Sequence, residues 1–262
     1  MLRNVWRQLV PSLVLTALVA VVIGIVYPLA VYGVGQAAFK GKADGSFIKK
    51  GSTIVGAANI GQAFTDQNGN PLPQYFQPRP SATSPNPYNA SSSSASNLGP
   101  GDPRLVGFVP GFNTVGLDGN PSNTNPFATP ADPYCVPIQV KTGNPVISDF
   151  SSTKLQKSDG QYVCDPDTVP ERTLAYRQLN GLGPNVKVPV DAVTASSSGL
   201  DPDISVENAD FQAPRVAKAR HLPLATVVQL VQAHTVGRAW GFLGETSVNV
   251  LELNLALDNL RS

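Results

Sequence analysis

The sequence predicts a single N-terminal transmembrane helix followed by an α+β domain. That domain has short strands, irregular loops rich in Pro, Gly and Ser, and a helical C-terminal third. Three observations predict this. No charged residue lies between Arg7 and Lys40. Of 262 residues 24 are Pro and 23 Gly, well above the roughly 12% share of an average protein. Helix-capping residues and apolar helical spacing concentrate after Ser205.

Residues 1–9 form a short tail and 10–37 the span. The run from Leu13 to Ala30 contains one polar side chain, Thr16, and its extension to Gly35 gives about 35 Å of helix, enough for a hydrocarbon core of about 30 Å. A cleaved signal peptide fits less well, because its apolar region is only about 7–15 residues. Arg3 and Arg7 precede the span; Lys40, Lys42, Lys49 and Lys50 follow it with Asp44. The positive-inside count is near a tie and leaves the orientation open. Ala20 and Gly24 have small-xxx-small spacing and Gly33 extends that face, suiting close helix packing. Pro28 removes a backbone donor and should kink the helix.

Residues 46–48 and 52–55 read as paired strands about a turn at Lys49-Lys50-Gly51. From Thr65 to Gly111 the chain reads as an ordered, irregular loop, because Tyr75, Phe76, Arg79, Tyr88 and Leu98 are spread through it. Residues 104–185 read as a Pro/Asn-rich insertion, with no helical period visible over 110–170. The insertion holds both cysteines, Cys135 and Cys164. In an oxidising compartment they could close a loop of roughly 30 residues and stabilise it by about 3–4 kcal/mol; two buried thiols are the alternative. Lys187–Val193 is expected as a short edge strand with Pro189. Ser205 caps a helix over 206–213 that Pro214 breaks or restarts. Pro223 opens the next, 224–234, with Val227, Val228, Leu230 and Val231 on its apolar face. Asn249 with Glu252 opens a final helix over 250–260, where alternating leucines would also fit a strand.

The net charge of +1, from 19 basic and 18 acidic residues, offers no polycationic surface and no nucleic-acid partner. Two Cys and two His exclude a disulfide-rich scaffold and make a zinc module or His-rich metal site a poor fit. GSFIKKGS at 45–52 is not a phosphate loop, because its lysines precede the second glycine. Asp66-Gln-Asn68-Gly-Asn70 begins like a calcium loop, but Pro71 and Gln77 stand where the turn glycine and the bidentate glutamate belong; an Asx-rich turn is the better reading. A serine of 196–198 with His234 and Asp201 could form a triad on paper, which would make the chain a membrane-anchored extracytoplasmic serine hydrolase. No G-x-S-x-G elbow supports that alternative. No catalytic residue, metal site or directly bound cofactor is expected.

An ordered series of segments carries a resemblance. It comprises Tyr27-Pro28-Leu29; Gly61-Gln62-Ala63-Phe64; Tyr75-Phe76-Gln77-Pro78-Arg79-Pro80-Ser81-Ala82; Tyr88-Asn89-Ala90; and Ser96-Asn97-Leu98-Gly99-Pro100. It continues through Val188-Pro189-Val190-Asp191, Ser198-Gly199-Leu200-Asp201-Pro202, Pro214-Arg215-Val216-Ala217, His234-Thr235-Val236-Gly237-Arg238 and Val248-Asn249-Val250-Leu251. Together these resemble the C subunit of the Kdp-type potassium-transporting ATPases. The departures are Gln77 where an aromatic is common, serines over 91–94, Asp203 in place of a His, and the long stretch 104–185.

The resemblance implies an accessory, non-catalytic subunit of an ATP-driven potassium uptake complex in a bacterial inner membrane. It implies a single-pass chain with its N-terminus cytoplasmic and residues 38–262 extracytoplasmic. Its partners would be a channel-like potassium-binding subunit, a P-type ATPase subunit, a small single-span subunit and membrane lipid. ATP enters at the level of the complex, where the family is described as a catalytic chaperone raising nucleotide affinity. The interface candidates are Tyr75, Phe76, Arg79, Asn97, Ser198, Asp201, Gln212 and Arg215, since aromatics and Arg suit an interface core. They would form a cap over the channel-like subunit's mouth.

Overall fold

The computed structural model describes residues 2–96, 99, 137–141, 144–146, 162–164 and 168–260. The chain forms two compact units, residues 1–59 and 60–262.

The first unit is a long helix followed by a hairpin. Helix α1 (Leu2–Val21) passes into a π-helical stretch, Val22–Val26, and on into α2 (Tyr27–Ala38). The Tyr27 amide bonds to the Val22 carbonyl, five residues back. Pro28 supplies the cause: with no N–H it cannot close the next α-type bond, and the backbone widens just ahead of it. The expected disturbance is therefore a π-bulge. Trp6–Ala38 is long and apolar enough to cross a membrane, and its apolar window has no burial inside the chain. Its 33 residues extend about 50 Å. After a single turn, α3 (Lys40–Ala43), strands β1 (Phe47–Lys50) and β2 (Thr53–Ala57) pair antiparallel. Gly51, at φ +64°, lies in the turn between them.

In the second unit, β3 (Pro137–Lys141), β4 (Asn144–Val146) and β5 (Tyr162–Cys164) form an antiparallel sheet in the order β4-β3-β5. The Cys135–Cys164 pairing lies outside the described residues; the Cys164 backbone stands opposite Pro137. Helix α4 (Val169–Asn180) arises near the end of the stretch 104–185 read as an insertion. Thr168 accepts from the Glu171 amide at 3.3 Å and Pro170 sits in the first turn. Gly181, at φ +65°, stops the helix. These are ordinary start and stop signals, hidden by the weak apolar face of VPERTLAYRQLN.

The expected strand at 187–193 is a helical turn instead, α5 (Val190–Val193), opened by Pro189. The reason is Asp191. Its carboxylate accepts from the Ser205 amide, the Ser205 hydroxyl and Asn208 Nδ2 at 2.8–3.0 Å, which pins the turn to the start of the following helix. Strand β6 (Asp203–Ser205) leads into α6 (Val206–Arg220). Ser205 caps α6 as expected, its Oγ accepting from the Asn208 amide at 3.1 Å.

Pro214 does not break α6, which runs 15 residues to Arg220. Pro214 and Asp210, whose carbonyl loses its partner, are both exposed, so water can satisfy the freed group. Burial of Ala209, Ala213, Val216 and Ala217 on the other face holds the helix together. Then come α7 (Leu224–Ala233), β7 (Thr235–Val236), β8 (Ser247–Asn249) and α8 (Val250–Asn259). Asn249 caps α8 by accepting from the Glu252 amide at 3.0 Å, which settles helix over strand there. The sheet order is β6-β8-β7, all antiparallel. Phe76, Ile204, Val227, Val231, Val248, Leu253 and Leu257 pack into the core with the alanines of α6.

Candidate functional site

The segment Pro73–Gln77 has no strand partner among the described residues, yet its backbone is bonded residue by residue to side chains. Asn254 on α8 accepts from the Phe76 amide (2.9 Å) and donates to the Phe76 carbonyl (3.0 Å). Gln212 on α6 does the same for Gln77, at 2.7 and 2.9 Å. Arg215 Nη1 donates to the carbonyls of Pro73 and Tyr75, and Arg220 Nε to that of Gln74 at 2.6 Å. Each clamp satisfies backbone groups that would otherwise be orphaned, at roughly 1–3 kcal/mol apiece. Phe76 is thereby driven fully into the core. Gln77 Nε2 bonds to the carbonyls of Phe64, Leu72 and Tyr75, so the glutamine in place of a common aromatic locks the same loop by polar means.

Tyr75 remains half-buried. Its ring lies 4.7 Å beneath the Arg220 guanidinium, its hydroxyl 3.3 Å from Asp258 Oδ2 and its centroid 5.2 Å from that of Phe64. Arg220 also pairs with Asp258 at 2.8 Å.

A second cluster gathers residues 61, 79–94 and 196–203. Arg79 Nη1 lies 3.1 Å from Asp201 Oδ2, with both side chains about a third exposed or less. The Asp201 carboxylate also accepts from the Asp203 amide. Arg79 Nε is buried without a hydrogen-bond acceptor among the described residues. The Tyr88 hydroxyl donates to the Arg79 carbonyl. Burial, with the Asp201 charge adding to it, pushes the Tyr88 phenol well above its usual range. Ser81 Oγ donates to the Gly199 carbonyl at 2.7 Å and accepts from the Tyr88 amide. Gly199 stands at φ +67°, and a Cβ there would meet the Ser94 carbonyl at 2.6 Å and Thr83 Cγ2 at 2.7 Å. Only glycine serves where a positive φ coincides with so close an approach.

The interface candidates therefore divide. Phe76, Gln212 and Arg215 lie inside this unit, where they hold the loop in place. Tyr75, Arg79 and Asp201 are partly exposed and Ser198 is exposed. Asn97 lies outside the described residues. On the first unit's helix, Gly24 and Gly33 have open space around them; Ala20 is exposed, and Pro28 follows the π-bulge. Of the triad drawn on paper, Ser196 is buried, Ser198 Oγ accepts from the Leu200 amide, and Asp201 is held by Arg79. No hydrogen bond joins these serines to His234 among the described residues. The Asp66 carboxylate accepts from Asn70 Nδ2 and from the Asn68 and Asn70 amides. Those bonds, that to Asn70 Nδ2 foremost, lower its pKa, as an Asx turn requires.

One feature escaped sequence reasoning. Between β7 and β8 the chain forms an arm, closed by reciprocal amide–carbonyl bonds between Ala239 and Leu243 (2.8 and 2.9 Å) and an Arg238–Glu245 ion pair at 2.6 Å. It presents Trp240 at 86% and Phe242 at 69% exposure, with Val236 and Leu243 beside them in sequence and also exposed. Trp240, Gly241 and Gly244 all have positive φ. The sequence signal was present in Trp-Gly-Phe-Leu-Gly: large apolar residues interleaved with glycines, a pattern that cannot be buried as helix or strand.

The chain thus carries a helix of membrane-spanning length, a loop-locked α+β unit and an apolar arm exposed to solvent. The family model described as "KdpC: K+-transporting ATPase, c chain" matches residues 9–133 and 153–259. The chain is 39% identical over 254 residues to the Potassium-transporting ATPase KdpC subunit of Mycobacterium tuberculosis (strain H37Rv), covering 97% of this chain and 99% of that one. It is 40% identical over 257 residues to the KdpC subunit of Variovorax paradoxus, covering 98% and 97%. It is 39% identical over 250 residues to that of Dechloromonas aromatica, covering 95% and 96%. The chain belongs to the KdpC family, the c chains of the K+-transporting ATPases.

Proposed function

We propose that this chain is the accessory subunit of a high-affinity, ATP-driven potassium uptake complex and takes no chemical part in ATP hydrolysis. The apolar helix anchors it in the bacterial inner membrane with its N-terminus cytoplasmic. Residues 38–262 stand outside and dock on the channel-like subunit, capping its mouth, while the helix packs against the P-type ATPase subunit or a small single-span subunit. The observation that carries this reading is the solvent-exposed Trp240/Phe242 arm on a unit whose loops at 73–77 and 79–94 are bonded down. Large aromatics beside an Arg are the composition of an interface hot spot, and the relatives are named as subunits of a potassium-transporting ATPase.

A domain outside the membrane cannot touch cytoplasmic ATP. Its effect on nucleotide affinity is therefore a coupling free energy transmitted through the complex, with ATP in turn tightening the docking by the same factor. Removing this chain is expected to abolish potassium-dependent ATPase activity of the assembled complex; full activity without it would refute the role. Protease added to intact cells should cut the domain. Protection there, with cleavage in inside-out vesicles, would reverse the topology.

A further inference from the structure

We propose that the groove between α4 and α6 is a binding site for a carboxylate, with Arg215 at its floor and Lys218 at its mouth. The groove encloses about 740 Å³ and is lined by Pro73, Leu179, Pro214, Arg215, Lys218 and His221 among others.

The Arg215 side chain is buried, at 9% exposure. Among the described residues its guanidinium donates only to neutral acceptors: Asn180 Oδ1 at 2.9 Å, the carbonyls of Pro73 (2.5 Å) and Tyr75 (2.9 Å), and Gln212 Oε1 at 2.7 Å. Buried cations are ordinarily matched by an anion, and Arg220, on the same helix, has its carboxylate in Asp258. Arg215 has none. Burial pushes it down to about 10, so it is still charged at neutral pH. Lys218, one turn on and exposed, makes no side-chain hydrogen bond or ion pair among the described residues.

Magnitudes choose the ligand. The C-terminal ends of α4 and α6 meet the groove at Asn180–Gly181 and at His221, and each helix end carries roughly half a negative charge. Two full cations against two such ends leave a surplus of about one positive charge. That matches a monoanion better than a phosphate dianion. The walls of Pro73, Leu179 and Pro214 suit a carbon-bearing acid over an inorganic one. The carboxylate has two sources of the same chemistry, an acidic side chain of a partner subunit or a small free carboxylic acid.

The test uses the full-length chain in detergent, titrated with butyrate, with its neutral isostere butyramide and with inorganic phosphate, following the Arg215 Nε–H resonance. Butyrate should bind saturably, butyramide should not, and phosphate should bind more weakly. Lys218→Glu, a change at an exposed position that leaves the core alone, should weaken butyrate at least about tenfold with an unchanged circular dichroism spectrum. Repeating the titration on the assembled complex separates the sources: loss of butyrate binding there identifies a partner's carboxylate, and retention identifies a free acid. Equal binding of butyramide, no saturable binding, or indifference to Lys218→Glu would overturn the assignment. The binding arm needs no partner, so it can fail while the docking reading stands.

Discussion

At the scale of single residues, a few amides and guanidinia do what a neighbouring strand would do elsewhere. Asn254 and Gln212 each bond both backbone groups of one residue in the Pro73–Gln77 segment. Asn254→Leu keeps the volume and removes the partners, leaving the Phe76 amide and carbonyl orphaned in the core. We expect a loss of about 2–4 kcal/mol, read as a fall in melting temperature; a loss below about 1 kcal/mol would mean that water or a neighbour replaces the bonds. This layer was legible in the sequence only as a string of residue types, Tyr-Phe-Gln-Pro-Arg and Pro-Arg-Val-Ala. Which residues faced inward was not, because Gln212 and Arg215 are polar and sequence reading places polar residues on the surface. Their burial depends on bonds to residues about 140 positions away in sequence, which no local pattern reports.

At the scale of elements, caps were readable and breakers were not. Ser205 and Asn249 open their helices where the sequence placed them, since a cap is settled within three residues. Pro214 was expected to interrupt α6, but packing of one alanine-rich face outweighs a single lost backbone bond. A proline in a helix interior costs roughly 3 kcal/mol against alanine, part of which is returned because proline also stiffens the unfolded chain. Pro214→Ala is therefore expected to raise stability by about 1–2 kcal/mol in an unfolding titration. A loss of stability would show that packing of the proline ring in the groove it lines outweighs the lost backbone bond. Helix α4 has little apolar content and is decided by its caps, whereas 190–193 reads as a strand by its valines and is turned into a helical turn by the bonds of Asp191.

At the scale of the whole molecule, alkaline stability is a sum over buried ionisable groups. Tyr88 and Tyr176 are both pushed well above 10, mainly by burial. Above pH about 10 the unfolded chain gives up these protons while the folded chain keeps them, so folding stability falls as pH rises. Arg215, lowered by burial to about 10, acts oppositely over that window, because relief of its buried charge favours the folded state. Two phenols outweigh one guanidinium, and the melting temperature should drop between about pH 9 and 11, less steeply in Tyr88→Phe. A melting temperature that is flat or rising there would contradict the balance.

On the proposed function, the exposed arm joins this chain to a potassium-transporting complex. The direct measurement is affinity purification of the tagged chain from membranes, wild type against Trp240→Ser/Phe242→Ser, with potassium-dependent ATPase activity assayed on what is recovered. Both side chains are exposed in the isolated chain, so the double variant should fold with an unchanged melting temperature. It should recover partner subunits and potassium-dependent activity at no more than about a tenth of the wild-type level, as expected for a lost hot spot. Full recovery of partners and activity by the folded variant would contradict the account.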